Sequence, residues 1–516
     1  MPIAPAPAPS LIGYDAAIDR YAQVQGNILK GHGRDYAALL FVRFTDGATP
    51  PPAAPVASIK AGLTGILPGA HDEPAAGPVT LTSTAKQLRD TQRFKKLGIP
   101  GDLFTSLHFT PDGLRLLGVD MATNAAAWGQ AFPAGMRDRA GILIDPAPDS
   151  PEEDQAWNPH WKATTTDALH ALLLLADDDH DRLRVTARRV DDDLRAHGLS
   201  IASIEGGNVL RNDNNDGIEH FGYADGVSQP IYLVEDMPDQ VGDEAKDNPM
   251  REGVSRWNPA AAETLVLVAD PLAPPIGIPE QPALGSFFVF RKLQQDVRDF
   301  KEAEEKLAHR LSLRPEDEER AGAMIVGRFE DGTPVVERGS DGLVRPIVND
   351  FNYDHDTTRA ADGSLSGGSR CPFHAHVRTV NPRQGVTFDD DPNRPFQLTR
   401  RGIPFGSRAD AQKEDGDPVG LLFMCYQALI EGQFEPVQRW SDGTANPPGL
   451  IPTPVVNGHP LNRDALIGQG PRGPQTYNYT YAAPGCRQGS FKQFVHLRGG
   501  EYFYAPSLPG LRELAG

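Results

Sequence analysis

Short apolar runs alternate with longer amphipathic stretches along the 516-residue chain, and the rhythm is run through twice. Residues 37–44, Ala-Ala-Leu-Leu-Phe-Val-Arg-Phe, predict a buried strand. Helical spacing over 82–97 is followed by a strand over 103–110 and a short helix from Pro111 that ends at Gly118. Residues 169–175 form an apolar strand broken only by His170, and acids at 177–181 open a helix that runs to His197, with Gly198 past its end. A strand over 200–209 then leads into the glycine-framed turn 222–226. The second half repeats the order, with a strand at 285–292, a charged amphipathic helix at 297–311 and a strand at 419–426. A helix at 428–440 and two closing strands within 491–504 complete it. Strand–helix–strand alternation with long interruptions predicts an α+β protein of two similar modules rather than a parallel βαβ array. The expected divisions are a disordered lead-in at 1–20, an N-terminal domain at 21–240, a connecting loop region at 241–284 and a C-terminal domain at 285–516. The Pro/Gly/Asn-rich stretches 232–284 and 441–487 are long enough to wall a site.

Composition narrows the function. A net charge of −19 opposes nucleic-acid binding, because phosphates would be repelled, while leaving cations welcome. Cys371, Cys425 and Cys486 include no Cys-x-x-Cys pair and cannot build a disulfide framework, which fits a reducing compartment. The first ten residues are broken by proline, and no secretory or twin-arginine leader and no membrane-length apolar run is present, so a cytoplasmic protein without a membrane partner is expected. Nucleotide-binding glycine fingerprints and a His-Glu-x-x-His zinc helix are absent, as is the Cys-x-x-Cys-His of covalent c-type haem.

Three segments carry candidate chemistry. Residues 371–383, Cys-Pro-Phe-His-Ala-His-Val-Arg-Thr-Val-Asn-Pro-Arg, place His374 and His376 two apart, on one face if the segment is extended, so that either could enter a cavity as a ligand. Asp225 lies between Gly222 and Gly226, and residues without side chains let a carboxylate approach a cofactor closely. An aspartate titrating near ~3.9 stays a competent proton acceptor in acid. Arg400 and Arg401 precede a Gly-Ile-Pro-Phe-Gly turn, and either guanidinium could stabilise developing negative charge. Histidine, acid and arginine are the parts a haem peroxidase needs.

The order and wording of these segments resemble the dye-decolorising peroxidase family. The resemblance extends to Gln25-Gly-Asn-Ile-Leu-Lys30, which is similar to the longer, advanced members, and to 285–293, 349–353 and 432–438. It implies two ferredoxin-like domains with antiparallel sheets packed as a dimeric α+β barrel. It also implies one haem b per chain, held mainly by the C-terminal domain. In the family pattern His376 is the iron ligand, five residues after Cys371, and Glu431 takes the place of a proximal acid, with Glu435 as its rival. Asp225 is the distal acid–base residue, and the spacing back from Pro404 selects Arg400. Gly226, Arg378, Arg383 and Arg400 are the further haem contacts expected, the arginines as propionate partners. The implied partners are hydrogen peroxide and bulky reductants such as dyes and phenolics, with Mn(II) a further candidate through acids such as 389–391. Tyr353, Trp257, Tyr426 and Trp440 are candidates for electron egress, and monomer and homodimer are both open. The runner-up is a haem-handling protein on the same fold.

Overall fold

The computed structural model describes residues 11–44, 56–69, 73–151, 156–161, 168–237, 257–274, 282–342, 349, 351, 357–359, 365–367, 370–381, 394–413, 415–444, 455–456, 459–460, 463–469, 475–478 and 486–516. The first half supplies strands β1 (Tyr36–Arg43), β2 (Phe104–Phe109), β3 (Ala171–Asp177) and β4 (Ser200–Asn208). The second half supplies β5 (Leu284–Gln295), the short β6 (Thr399–Arg400) and β7 (Ile403–Phe405), then β8 (Gly420–Gln427) and β9 (Val495–Ala505). Every ladder among them is antiparallel. The first half is ordered β4-β1-β3-β2 and the second β9-β5-β8, with β6 and β7 sharing the outer edge of β8.

Counting β6 and β7 as one edge strand, both halves follow the same fourth-first-third-second order. That is the ferredoxin-like arrangement the resemblance implied. Phe109 pairs with Tyr504 to join β2 to β9, so the two sheets run on as one. The remaining edges also meet: a Cβ on Gly207 of β4 would stand 2.5 Å from the Ile403 side chain of β7. Lys292 of β5 reaches Glu205 of β4 at 2.7 Å. β3 is buried along its whole length, which is why it reads as a continuous apolar run rather than an alternating one. Phe41, Trp161 and Phe290 stack between strands from both halves, with ring centroids 4.7–5.2 Å apart.

The helices cover this sheet: α1 (Tyr14–Arg20), α2 (Val56–Ile66), α3 (Thr84–Leu97), α4 (His180–Ala196), α5 (Val297–Leu311), α6 (Glu319–Val326), α7 (His376–Val380), α8 (Phe434–Ser441) and α9 (Leu508–Ala515). Ser83 and Asp179 cap α3 and α4 by accepting backbone N–H groups, as their positions before the apolar periodicity require. The lead-in is not wholly disordered, since Tyr14 of α1 is buried and its N–H is held by Glu235 at 2.8 Å. The two closing strands are one, β9, with a register shift between Leu497 and Gly499. The helix expected from 428 begins only at Phe434, because the Gln433 side chain accepts the Ala428 and Leu429 N–H groups and holds a turn there. The His374–His376 segment is not extended either: the Ala375 N–H bonds Pro372 O across a turn, and α7 starts at His376.

One carboxylate of β9 gives the fold a pH signature. Glu501 Oε1 accepts the N–H groups of Met136 and Tyr502 at 2.7 and 2.6 Å, and burial pushes the carboxyl from 4.5 up to about 7. A raised acid is bound as its protonated form by the folded chain, so wild type loses stability as pH rises from about 4.5 to 7, and no more beyond. Glu501→Gln keeps the accepting oxygen and removes the charge. It is expected to gain on wild type by up to ~3 kcal/mol across that window, read as the difference in denaturation free energy at pH 4.5 and pH 8. A difference that does not change with pH would refute this.

Candidate active site

One cavity gathers the separated motifs. His376, Asp225, Gly226 and Arg400 all line it, and its volume is about 1720 Å³ including the open mouth.

On one side the imidazole is set by short-range geometry. Ala375 is extended and His376 is the first residue of α7, so the ring leaves the helix at its start. Gly327, at the end of α6, has φ +100°, and a Cβ there would lie 2.9 Å from Val377 Cβ, so glycine lets α6 and α7 close together. His376 Nδ1 donates to Asp464 Oδ2 at 2.6 Å, and the Asp464 side chain is wholly buried. The other carboxylate oxygen accepts the N–H groups of Leu466 and Ile467 at 2.8 and 3.1 Å. This fixes the tautomer that leaves Nε2 with a lone pair for a metal.

On another side a hairpin presents Asp225. Its N–H bonds Gly217 O at 3.0 Å, Ile218 bridges Ala224, and Gly222 and Gly226 take the φ values of +106° and +72° that the chain reversals need. Gly226 N–H bonds Asp225 Oδ1 at 2.6 Å. Arg400, on edge strand β6, stands 3.5 Å from Asp225 Oδ1 and donates to Ser228 O at 3.1 Å. Gln229 Oε1 accepts the Arg400 N–H at 3.1 Å, so loop and strand are tied together. Arg401 points the other way and donates to Asn27 O and Ile28 O at 2.7 and 2.9 Å, so that of the two arginines Arg400 lines the cavity. Burial pulls the Arg401 guanidinium down to about 10.

Other expected residues lie elsewhere. Glu431 is not the acid behind the histidine: its carboxylate accepts the N–H groups of Gln130 and Ala131 at the start of a helix, at 2.7 and 3.4 Å. Its rival Glu435 binds Arg139 and Tyr502. Asp464, 88 residues beyond His376, takes that position, and no local spacing announced it. His374 is buried against Phe491 rather than in the cavity. Arg378 is buried too, donating to Cys371 O at 2.5 Å beneath the Phe373 ring, and Arg328 lines the cavity in its stead. Arg383, Tyr353 and the 389–391 acids fall outside the described residues. Trp257 lines the cavity, Trp440 packs against its wall residue Phe396, and Tyr426 is buried with its hydroxyl 2.8 Å from His108 Nε2.

The walls suit haem. Val377, Leu398, Leu421, Phe423, Phe434 and Ile467 offer an apolar surface to a flat macrocycle. Asn381 Oδ1, Gln397 Nε2 and Gln295 Oε1 are buried cavity-wall atoms without a hydrogen-bond partner among the described residues, and so retain capacity for a ligand's polar edge. An imidazole backed by a buried carboxylate lies in one cavity with an Asp–Arg pair, the combination of groups that haem peroxidase chemistry calls for.

Comparison with known proteins agrees. No protein-family model matches the chain. The multifunctional dye peroxidase DyP2 of Amycolatopsis sp. is 37% identical over 503 residues, covering 95% of each chain. The dye-decolorizing peroxidase AauDyP1 of Auricularia auricula-judae is 27% identical over 70% of this chain and 67% of its own. The crystal structure of the DyP-type peroxidase AnaPX of Anabaena sp. superposes with a TM-score of 0.77 at 30% identity, covering 99% of this chain and 98% of that one. The chain belongs to the dye-decolorising peroxidase family. Among the described residues no helix is long and apolar enough to cross a membrane.

Proposed function

We propose that the chain is a haem b peroxidase that reduces hydrogen peroxide to water with electrons drawn one at a time from dyes, phenolics or other bulky reductants. The observation that carries the assignment of residues is the convergence of His376–Asp464 and Asp225–Arg400 on one cavity. Bound there, haem would supply the two-electron chemistry of O–O cleavage and the storage of oxidising equivalents.

The chain's residues do the rest. His376 Nε2 would hold the iron, and Asp464 orients the ring and increases its electron donation. Asp225 takes the proton from one peroxide oxygen and delivers it to the other, which leaves as water. Arg400, fixed by Ser228, steadies the negative charge that grows on the departing oxygen. Arg328 is placed to pair with a propionate; Asn349 accepts its guanidinium N–H at 2.5 Å and holds it in the wall. Mn(II) as a reductant would need a carboxylate cluster, and none is assembled among the described residues. We read 21–240 and 285–516 as the two domains, supported by the matching strand order of the two halves. The buried free thiol of Cys425 supports a cytoplasmic setting.

The test is haem reconstitution followed by steady-state turnover. The reconstituted protein is expected to consume peroxide and bleach an anthraquinone dye over many cycles while retaining its haem. Retention of haem without peroxide consumption, or release of haem or iron instead of turnover, would move the chain to the haem-handling reading.

A further inference from the structure

The hairpin that carries Asp225 is held from within by a second carboxylate of the cavity wall, Glu219. Its Oε1 accepts the Tyr223 N–H at 3.0 Å, and its Oε2 accepts the Phe221 N–H at 2.9 Å. Gln295, the last residue of β5, donates its Nε2–H to the same Oε2 at 2.5 Å. The backbone adds Glu219 N–H to Tyr223 O at 3.1 Å and Gly222 N–H to Glu219 O at 3.0 Å. Two residues further on, Asp225 is pinned to Gly217. The carboxylate therefore sits at the centre of the turn whose outer limb presents Asp225, and Gln295 anchors that turn to the end of β5.

We propose that Glu219 is a positioning residue for Asp225, its ionised carboxylate clamping the 217–225 hairpin to β5 through Gln295. The inference rests on the assignment of Asp225 as the acid–base group.

Three donors face the Glu219 oxygens among the described residues, an arrangement that favours the ionised form. Burial pushes the carboxyl up to about 7 and repulsion from Asp225 adds to this, while the N–H groups of Phe221, Gln295 and Tyr223 pull it down. Arg400 faces Asp225, Glu304 and Lys301 of α5 meet beyond Tyr223, and Lys301 also binds Glu330 at 2.8 Å. The His220 ring is engaged by Phe405 O at 2.8 Å. Protonating Glu219 converts one accepting oxygen into a donor that faces an N–H, so the clamp opens as pH falls through about 7.

The experiment compares haem-reconstituted wild type, Glu219→Gln, Gln295→Met and Asp225→Asn at pH 5.5 and pH 8. The readouts are the stopped-flow rate of reaction with peroxide and hydrogen–deuterium exchange over 217–228, corrected for intrinsic rates. Glu219→Gln is expected to react about tenfold more slowly than wild type at pH 8 but within twofold of it at pH 5.5. Wild-type protection of the hairpin should be several-fold greater at pH 8 than at pH 5.5, and Glu219→Gln should lose that difference. Gln295→Met, which keeps the carboxylate but removes a donor, should move the wild-type inflection to higher pH; this arm stands if Glu219→Gln does not fold. Equal slowing of Glu219→Gln at both pH values with unchanged exchange would overturn the proposal, as would an unmoved inflection in Gln295→Met. If Asp225→Asn reacts as fast as wild type, the assignment of Asp225 fails first; if it is slow while Glu219→Gln behaves as wild type, only the clamp fails.

Discussion

Asp225→Asn is expected to bind haem normally and to react with hydrogen peroxide some ~10²–10⁴-fold more slowly than wild type, the range that loss of a positioned acid–base group produces. Asparagine matches the shape of aspartate and can still accept from the Gly226 N–H, which bonds Asp225 Oδ1 at 2.6 Å, so the hairpin keeps its fold. What disappears is the ability to hold a proton between the two peroxide oxygens. Arg400 does not replace this function, because a guanidinium donates but does not accept. Stopped-flow mixing at the Soret band separates the two effects: the resting spectrum reports haem binding, and its decay rate reports the peroxide step. An unchanged decay rate would remove Asp225 from the mechanism and leave proton transfer to another wall group such as Glu219. A lost resting spectrum would make Asp225 a structural residue instead.

The legible parts of this site were those in which one short segment carries both the reactive group and its geometry. Asp225 stands in a turn whose glycines occur at the positive-φ positions, so sequence and backbone tell the same story. Arg400 and Arg401 could not be told apart by composition. Where the edge strand ends, successive side chains still point to opposite faces, and that sends Arg400 to the cavity and Arg401, the residue just past β6, to the carbonyls of Asn27 and Ile28. The spacing of the histidine pair puts both on one face only in an extended segment, whereas the Pro372 turn, closed by the Ala375 N–H, starts a helix. His374 and His376 then diverge, and only one faces the cavity. The largest miss, Glu431 in place of Asp464, has a different origin. A residue 88 positions away is brought to His376 by the packing of a loop, and loops carry no periodicity from which such a meeting can be read. The fold was easier, since each half's buried strands and capped helices are local features, and their order repeats.

His376→Ala is expected to abolish specific haem binding, so that titration with haem gives no sharp Soret band and no saturating one-to-one equivalence. Asp464→Asn should be milder and more telling. The carboxylate takes the His376 Nδ1–H on one oxygen and the Leu466 and Ile467 N–H groups on the other, all in a wholly buried position. An asparagine can serve the imidazole or the backbone pair with its single oxygen, and its NH₂ then faces a donor on the other side. Leaving such a buried group unmatched costs ~1–3 kcal/mol, and replacing a ligand's supporting carboxylate typically weakens metal binding by ~10–100-fold. Haem should therefore still bind to Asp464→Asn, but with an affinity lower by about that factor. The reduction potential of its iron should be higher, because a less polarised imidazole donates less charge and favours the ferric state less. The two variants together discriminate between roles. If His376→Ala loses haem while Asp464→Asn leaves both affinity and potential unchanged, the aspartate only caps the loop at Leu466 and Ile467. If Asp464→Asn shifts the potential in the expected direction, the His376–Asp464 pair tunes the iron, and the 88-residue excursion between them serves the chemistry as well as the fold.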